Sequence, residues 1–123
     1  LHSLQNQIVQ SPDKNAVLDK NQLRDITMDD PELMREVLAA LLADTSQQMG
    51  LLEAAIRAQN VAQCMRLAHY SKGACANVGA NRAAGMFKQI EKKAAGGEFS
   101  ECGESLVSLV REMDLLRDES ASL

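Results

Sequence analysis

The chain has 123 residues, a length that fits one domain. Hydrophobic residues make up 46% but aromatics only 2%, so the core must come from Leu, Ala, Met, Val and Ile, and with 2 Pro and 7 Gly this is a helix-bundle composition that excludes a sheet protein. The net charge of −4, without a dense basic stripe or an aromatic platform, argues against nucleic-acid binding, and the lack of a long apolar run or signal pattern makes a cytoplasmic protein without direct membrane contact the expectation.

Residues 1–15 show no sustained period and contain Ser11-Pro12-Asp13. They are expected to be a linker or a disordered lead-in, with the domain over 16–120. Leu1, Leu4, Ile8 and Val9 offer at most one or two weak turns. Asp19 suits the N-cap of a short helix to about Ile26, with Leu23 and Ile26 facing inward. Asp29-Asp30-Pro31-Glu32 is a strong helix start: an aspartate caps, proline takes the first position and glutamate complements the dipole. The helix that follows is expected to reach about Gln59 and to be closed by Asn60. Its apolar face is Met34, Leu38, Leu41, Leu42, Thr45, Met49, Leu52 and Ile56. Gly50 marks a place for a slight bend.

A third helix is expected from about Val61 to Val78, stopped by the left-handed turn that Gly79 permits. Asn81 is read as the cap of the next helix, with Ala83, Met86, Phe87, Ile90 and Ala94 on one side and Gly96-Gly97 ending it. The last helix carries Phe99, Cys102, Leu106, Leu109, Met113 and Leu116 in alternating steps of three and four, and Val110 widens that seam. Short connections make consecutive helices antiparallel neighbours. The expected fold is therefore all-α: an antiparallel up-down four-helix bundle with a short additional N-terminal helix.

The third helix carries the chemistry. With His69 at zero and about 100° per residue, Cys64, Leu67, Ser71, Ala74, Cys75 and Val78 cluster around the opposite pole. That half is buried and His69 faces water. Met65, Arg66, Lys72, Gly73 and Ala76 share its side. Glycine inside a helix costs roughly 1 kcal/mol against alanine. Keeping Gly73 one turn after an exposed histidine suggests that something must approach the imidazole closely. Neutral imidazole is a good nucleophile toward phosphorus, and Lys72 lies near enough to pair with phosphoryl oxygens. The chain has 3 cysteines, and Cys64 and Cys75 fall on the apolar face, where small buried hydrophobes are expected. No Cys/His pair has metal-ligand spacing.

His69-x-x-Lys72-Gly73, with Leu67-Ala68 before it and Asn77-Val78-Gly79 after it, resembles the histidine-containing phosphotransfer (HPt) domain family. The resemblance runs from about Val17 to Leu116. It implies a phosphocarrier of two-component phosphorelays, without a nucleotide site of its own. His69 would take a phosphoryl group from a receiver-domain aspartate and pass it to another receiver. Lys72 would hold the phosphoryl group and Gly73 would give access. A polar residue on the next helix would orient the imidazole, and spacing assigns that place to Glu91, with Gln89 nearby. The expected docking surface includes Met65, Arg66, Tyr70 and Ala76. Response-regulator receiver domains are the expected partners, the chain itself being a monomer. No cofactor is expected here, and Mg2+ would belong to the receiver. Such domains often sit last in hybrid sensor histidine kinases, and the lead-in fits excision from one.

One position departs from the family pattern. Two residues after the histidine a large apolar side chain is usual, and here stands Ser71, whose hydroxyl is expected to bond back to a carbonyl one turn earlier. Two other functions stay open. A receiver-docking or inhibitory module would need neither nucleophile nor cation. A sensor-kinase dimerisation helix pair typically has an acidic residue after its histidine, whereas Tyr70-Ser71-Lys72 follows here.

Overall fold

A computed structural model describes residues 12–123. Among the described residues all regular structure is helical: α1 (Lys20–Ile26), α2 (Pro31–Arg57), α3 (Val61–Val78), α4 (Asn81–Ala95) and α5 (Phe99–Ala121). Helix α3 packs on α2 and most extensively on α4, and α5 closes the ring against α4 and α2. This is a four-helix bundle with α1 laid across one end. None of these helices is long and apolar enough to cross a membrane. His2, Leu1, Leu4, Ile8 and Val9 lie outside the described residues.

Local chemistry sets most helix ends. Asp19 caps α1 by accepting from Gln22 N at 3.1 Å. Asp30 caps α2 by accepting from Glu32 N and Leu33 N, and Pro31 follows at the first helical position. Helix α2 ends at Arg57, two residues before the expected stop, as Gln59 swings to φ 52°. Asn60 closes α2 through its backbone, its N–H on the Ala55 carbonyl at 3.0 Å, and also opens the next helix. Its side chain accepts from Gln63 N at 3.1 Å and so starts α3. The turn is too short to serve both helices separately, and the side chain satisfies the free N–H groups downstream.

Gly79 stops α3 at φ 98°. Its carbonyl accepts from Asp19 N at 2.8 Å, and a Cβ there would stand 2.8 Å from the Asp19 carbonyl oxygen. Glycine is required both by the left-handed backbone and by the close approach of α1. Gln22 adds a side-chain bond to the Ala76 carbonyl. The cap expected of Asn81 is not found. Ala80 holds the N-cap position, fully buried, and Asn81 is already helical. Its amide instead donates to the Asp13 carbonyl at 2.9 Å and to Gln22 Oε1 at 3.1 Å. The tight Gly79 turn, with Ala80 N–H on the Cys75 carbonyl, brings the chain into α4 one residue early.

The core is Leu-, Ala- and Met-rich with one large ring, Phe87. Cys64, Cys75 and Cys102 are all fully buried free thiols. Burial pushes the Cys75 thiol up to about 11. Four expectations about faces need correction. Ile26 is half exposed, since Thr27, one turn after Leu23, buries in its place and bonds the Leu23 carbonyl at 2.7 Å. Val110 is half exposed beside a shallow groove shared with Gly50 and Glu53 of α2, because Leu109 and Met113 already occupy the inward stripe of α5. Leu42 and Ile56 only flank the core, and Ala55 is buried where the face was expected to reach Ile56. Glu112, absent from the expected core, is buried and takes Arg82 Nε on its Oε1 at 2.9 Å.

Candidate functional site

Helix α3 presents His69 on its outer face, with the side chain 66% exposed. Leu67, Ala68, Ser71 and Cys75 bury on the other side, so the periodicity of α3 aims the imidazole at solvent. Helix α4 runs alongside and brings Glu91 under the ring. Glu91 Oε2 lies 3.0 Å from His69 Nδ1. Its other oxygen, Oε1, accepts from Lys72 Nζ at 3.4 Å. One carboxylate, 21% exposed, therefore ties the imidazole and the lysine together across two helices. Among the described residues Nε2 has no hydrogen-bond partner. Gln89 is exposed, two residues out of phase with Glu91, and does not reach the ring. Glu91 does not pair with Lys88 on its own helix.

Gly73 follows Lys72 with open space where a Cβ would stand. Ala76, one turn further, is half-buried, and its carbonyl is occupied by Gln22. Met65 is half-buried and packs against the core. Arg66 is exposed and its guanidinium donates to Gln63. Tyr70 is exposed, and its phenol donates to Asp44 Oδ2 of α2 at 2.8 Å. That hydrogen bond, and then the charge of Asp44, hold the phenol pKa above its ordinary value. Helical spacing gave no hint of Asp44, since it is the crossing of α2 and α3 that decides which residues meet.

Ser71 corrects an expectation. Its hydroxyl is buried and has no hydrogen-bond partner, neither a carbonyl one turn back nor a neighbour on α2. Thr45 Oγ1, buried on α2, is likewise without a partner. The back-bond to a helix carbonyl competes weakly for an acceptor already used by the ladder. Among the described residues no group of three or more His, Cys, Asp and Glu side chains could hold a metal ion.

An exposed histidine, a lysine and an open glycine on one bundle helix, braced by a carboxylate of the next, define a class of protein. The Hpt domain family matches residues 36–119, most of the chain, and the chain belongs to that family. A crystal structure of histidine-containing phosphotransfer protein B from Pseudomonas aeruginosa PAO1 is similar in fold, with a TM-score of 0.78. That similarity comes with 24% sequence identity and covers 86% of this chain and 92% of that one. None of the curated proteins compared matches the chain. Hpt domains act in histidine phosphotransfer within phosphorelays, as phosphoryl intermediates that meet response-regulator receiver domains and not as self-contained enzymes.

Proposed function

We propose that the chain is a phosphocarrier that uses His69 to take a phosphoryl group from the aspartyl phosphate of one receiver domain and to deliver it to the aspartate of another. The observation that carries this reading is the solvent-exposed imidazole held through Nδ1 by Glu91. A neutral imidazole whose Nδ1–H donates to the carboxylate has its lone pair on Nε2. That nitrogen attacks phosphorus in line, the P–O bond to the receiver aspartate breaks, and the aspartate leaves as a carboxylate. The ring becomes positively charged as the P–N bond forms. Glu91, already in place, offsets that charge without reorganising. The reverse step runs through the same atoms.

Lys72 faces a choice of anions. In the free protein it rests on Glu91 Oε1. A phosphoryl group on Nε2 offers a stronger charge-assisted acceptor, and the flexible lysine stem lets Nζ turn to it. Gly73 leaves room for the receiver's backbone. Met65, Arg66, Tyr70 and Ala76 contribute to the surface around that approach. The divalent magnesium belongs to the receiver, and the chain is read as a monomeric domain of a signalling protein, free-standing or last in a hybrid sensor kinase. A docking module without transfer is the second reading, and it leaves the His69–Glu91–Lys72 bracing without use.

The test is transfer of labelled phosphate from a panel of phosphorylated receiver domains to wild type and to His69→Gln. The expected result is acid-labile, base-stable label on wild type alone, with the variant's circular dichroism and melting unchanged. Receiver binding without label on wild type would establish the docking module instead. Unfolding of the variant would remove His69 from the surface role.

A further inference from the structure

The surface around His69 is electrically lopsided. On the α4 flank stand Lys72 and, exposed along α4, Lys88 and Lys92. On the α2 flank stands Asp44, and among the described residues it has no cation within salt-bridge distance. Arg66, one turn before Tyr70 on α3, is turned onto Gln63, and Lys72 is held on Glu91. The Tyr70 phenol takes one carboxylate oxygen at 2.8 Å but brings no charge to it. A carboxylate without a cation thus lies against Tyr70, the sequence neighbour of a histidine that has to receive an anion. For chemistry alone that placement is adverse, since like charges repel. It is useful only if a partner cation arrives with the phosphoryl group.

The same flank carries exposed apolar side chains. Tyr70 is 51% exposed and adjoins His69 in sequence. Leu51 is 48% exposed and lies seven residues after Asp44, on the same stripe of α2. The exposed side chains named on the α4 flank are lysines. Interface centres favour tyrosine and disfavour lysine. The phenol–carboxylate bond spans two helices and fixes the ring in one direction, so its ordering is settled before any partner arrives.

We infer that Asp44 and Tyr70 form a recognition pair that fixes the orientation and choice of the docking receiver domain, with Asp44 taking a lysine or arginine of that receiver and Tyr70 lying in the contact. This rests on the phosphocarrier reading for the identity of the partner. The pair touches neither the phosphoryl group nor Nε2. It acts on association and not on the transfer step, in keeping with complementary charge setting partner choice and encounter rate.

The experiment measures phosphoryl transfer at varied concentrations of the receiver that donates fastest to wild type, for wild type, Asp44→Asn, Asp44→Lys and Tyr70→Phe. Affinity of the same receiver is measured calorimetrically in parallel, and labelling of His69 by phosphoramidate serves as a receiver-free control. For Asp44→Asn the receiver concentration at half-maximal rate rises about fivefold, and for Asp44→Lys about fiftyfold, as expected for losing and then reversing one interfacial charge. For Tyr70→Phe, which frees the ring from Asp44, the rise is about threefold. Saturating rates and phosphoramidate labelling stay at wild-type values, and the Asp44 effects shrink at high salt. Unchanged half-saturation and affinity in the Asp44 variants would overturn the inference. So would a fall in phosphoramidate labelling, which would place the pair in the reacting site. Wild type that binds the receiver but takes no phosphate would overturn the carrier reading alone, and the affinities would still decide the pair. Wild type that binds none of the receivers overturns both.

Discussion

Two carboxylates bridge helix α4 to its neighbours, and they do different work. Glu91 projects from α4 to α3 and has both oxygens engaged, one by His69 Nδ1 and one by Lys72 Nζ, at 21% exposure. Glu112 projects from α5 to α4, is 5% exposed, and has Oε1 on Arg82 while Oε2 has no partner. The first is a fully used carboxylate at the surface, where water can replace what is removed. The second is a buried charge held by one half-exposed arginine. At the site end of α4 the polar groups are therefore expected to contribute little to the fold. At the other end the fold depends on an ion pair with no part in the proposed chemistry.

The sharpest way to break this contrast is Arg82→Ala. It strands a buried carboxylate, and the expected loss is about 2 kcal/mol of unfolding free energy, below the usual cost of breaking a buried pair because Arg82 itself is half in water. Urea unfolding reads it. The double change Arg82→Met with Glu112→Leu should recover most of that loss, since apolar replacement of a buried pair is often neutral. A single variant as stable as wild type would show that the Arg82–Glu112 pair does not hold the fold. Transfer should be untouched in either case.

Glu91→Ala is expected to do the opposite. Stability should change by less than about 1 kcal/mol, since His69 is largely exposed and water reaches the partly buried Lys72–Glu91 pair. The transfer rate at saturating receiver should fall about tenfold, the size of one general electrostatic contribution lost from a partly exposed site. Glu91→Gln keeps an acceptor for Nδ1–H and should lose less. Equal rates in wild type and Glu91→Ala would show that the imidazole needs no brace.

The smallest expected effect is a gain. Ser71→Ala removes a buried hydroxyl without a partner and improves helix propensity, which together should stabilise the bundle by about 1 kcal/mol. Transfer should stay at its wild-type rate, because the hydroxyl lies on the face of α3 away from His69. Destabilisation on urea unfolding would mean that the hydroxyl is bonded in solution.

Much of this was legible in the chain. Asp30-Pro31 and Gly79 act within four residues of themselves, through caps and backbone handedness, so they place helix ends whatever surrounds them. Periodicity turned His69 outward and Cys64 and Cys75 inward. The family resemblance implied a polar partner for the ring on α4 and counting placed it at Glu91, which the short, glycine-stopped connection brings to His69. Where several partners competed, the sequence was silent or misleading. Asn81 looks like a cap, yet it tethers the segment around Asp13. Ile26 looks buried, yet Thr27 takes its place. The Asp44–Tyr70 bond, the burial of Glu112 and the orphaned hydroxyls of Thr45 and Ser71 depend on the register and crossing of non-local helices. Caps and faces are decided by atoms a turn apart, which the sequence keeps adjacent; contacts between helices are decided by packing, which only the assembled bundle supplies.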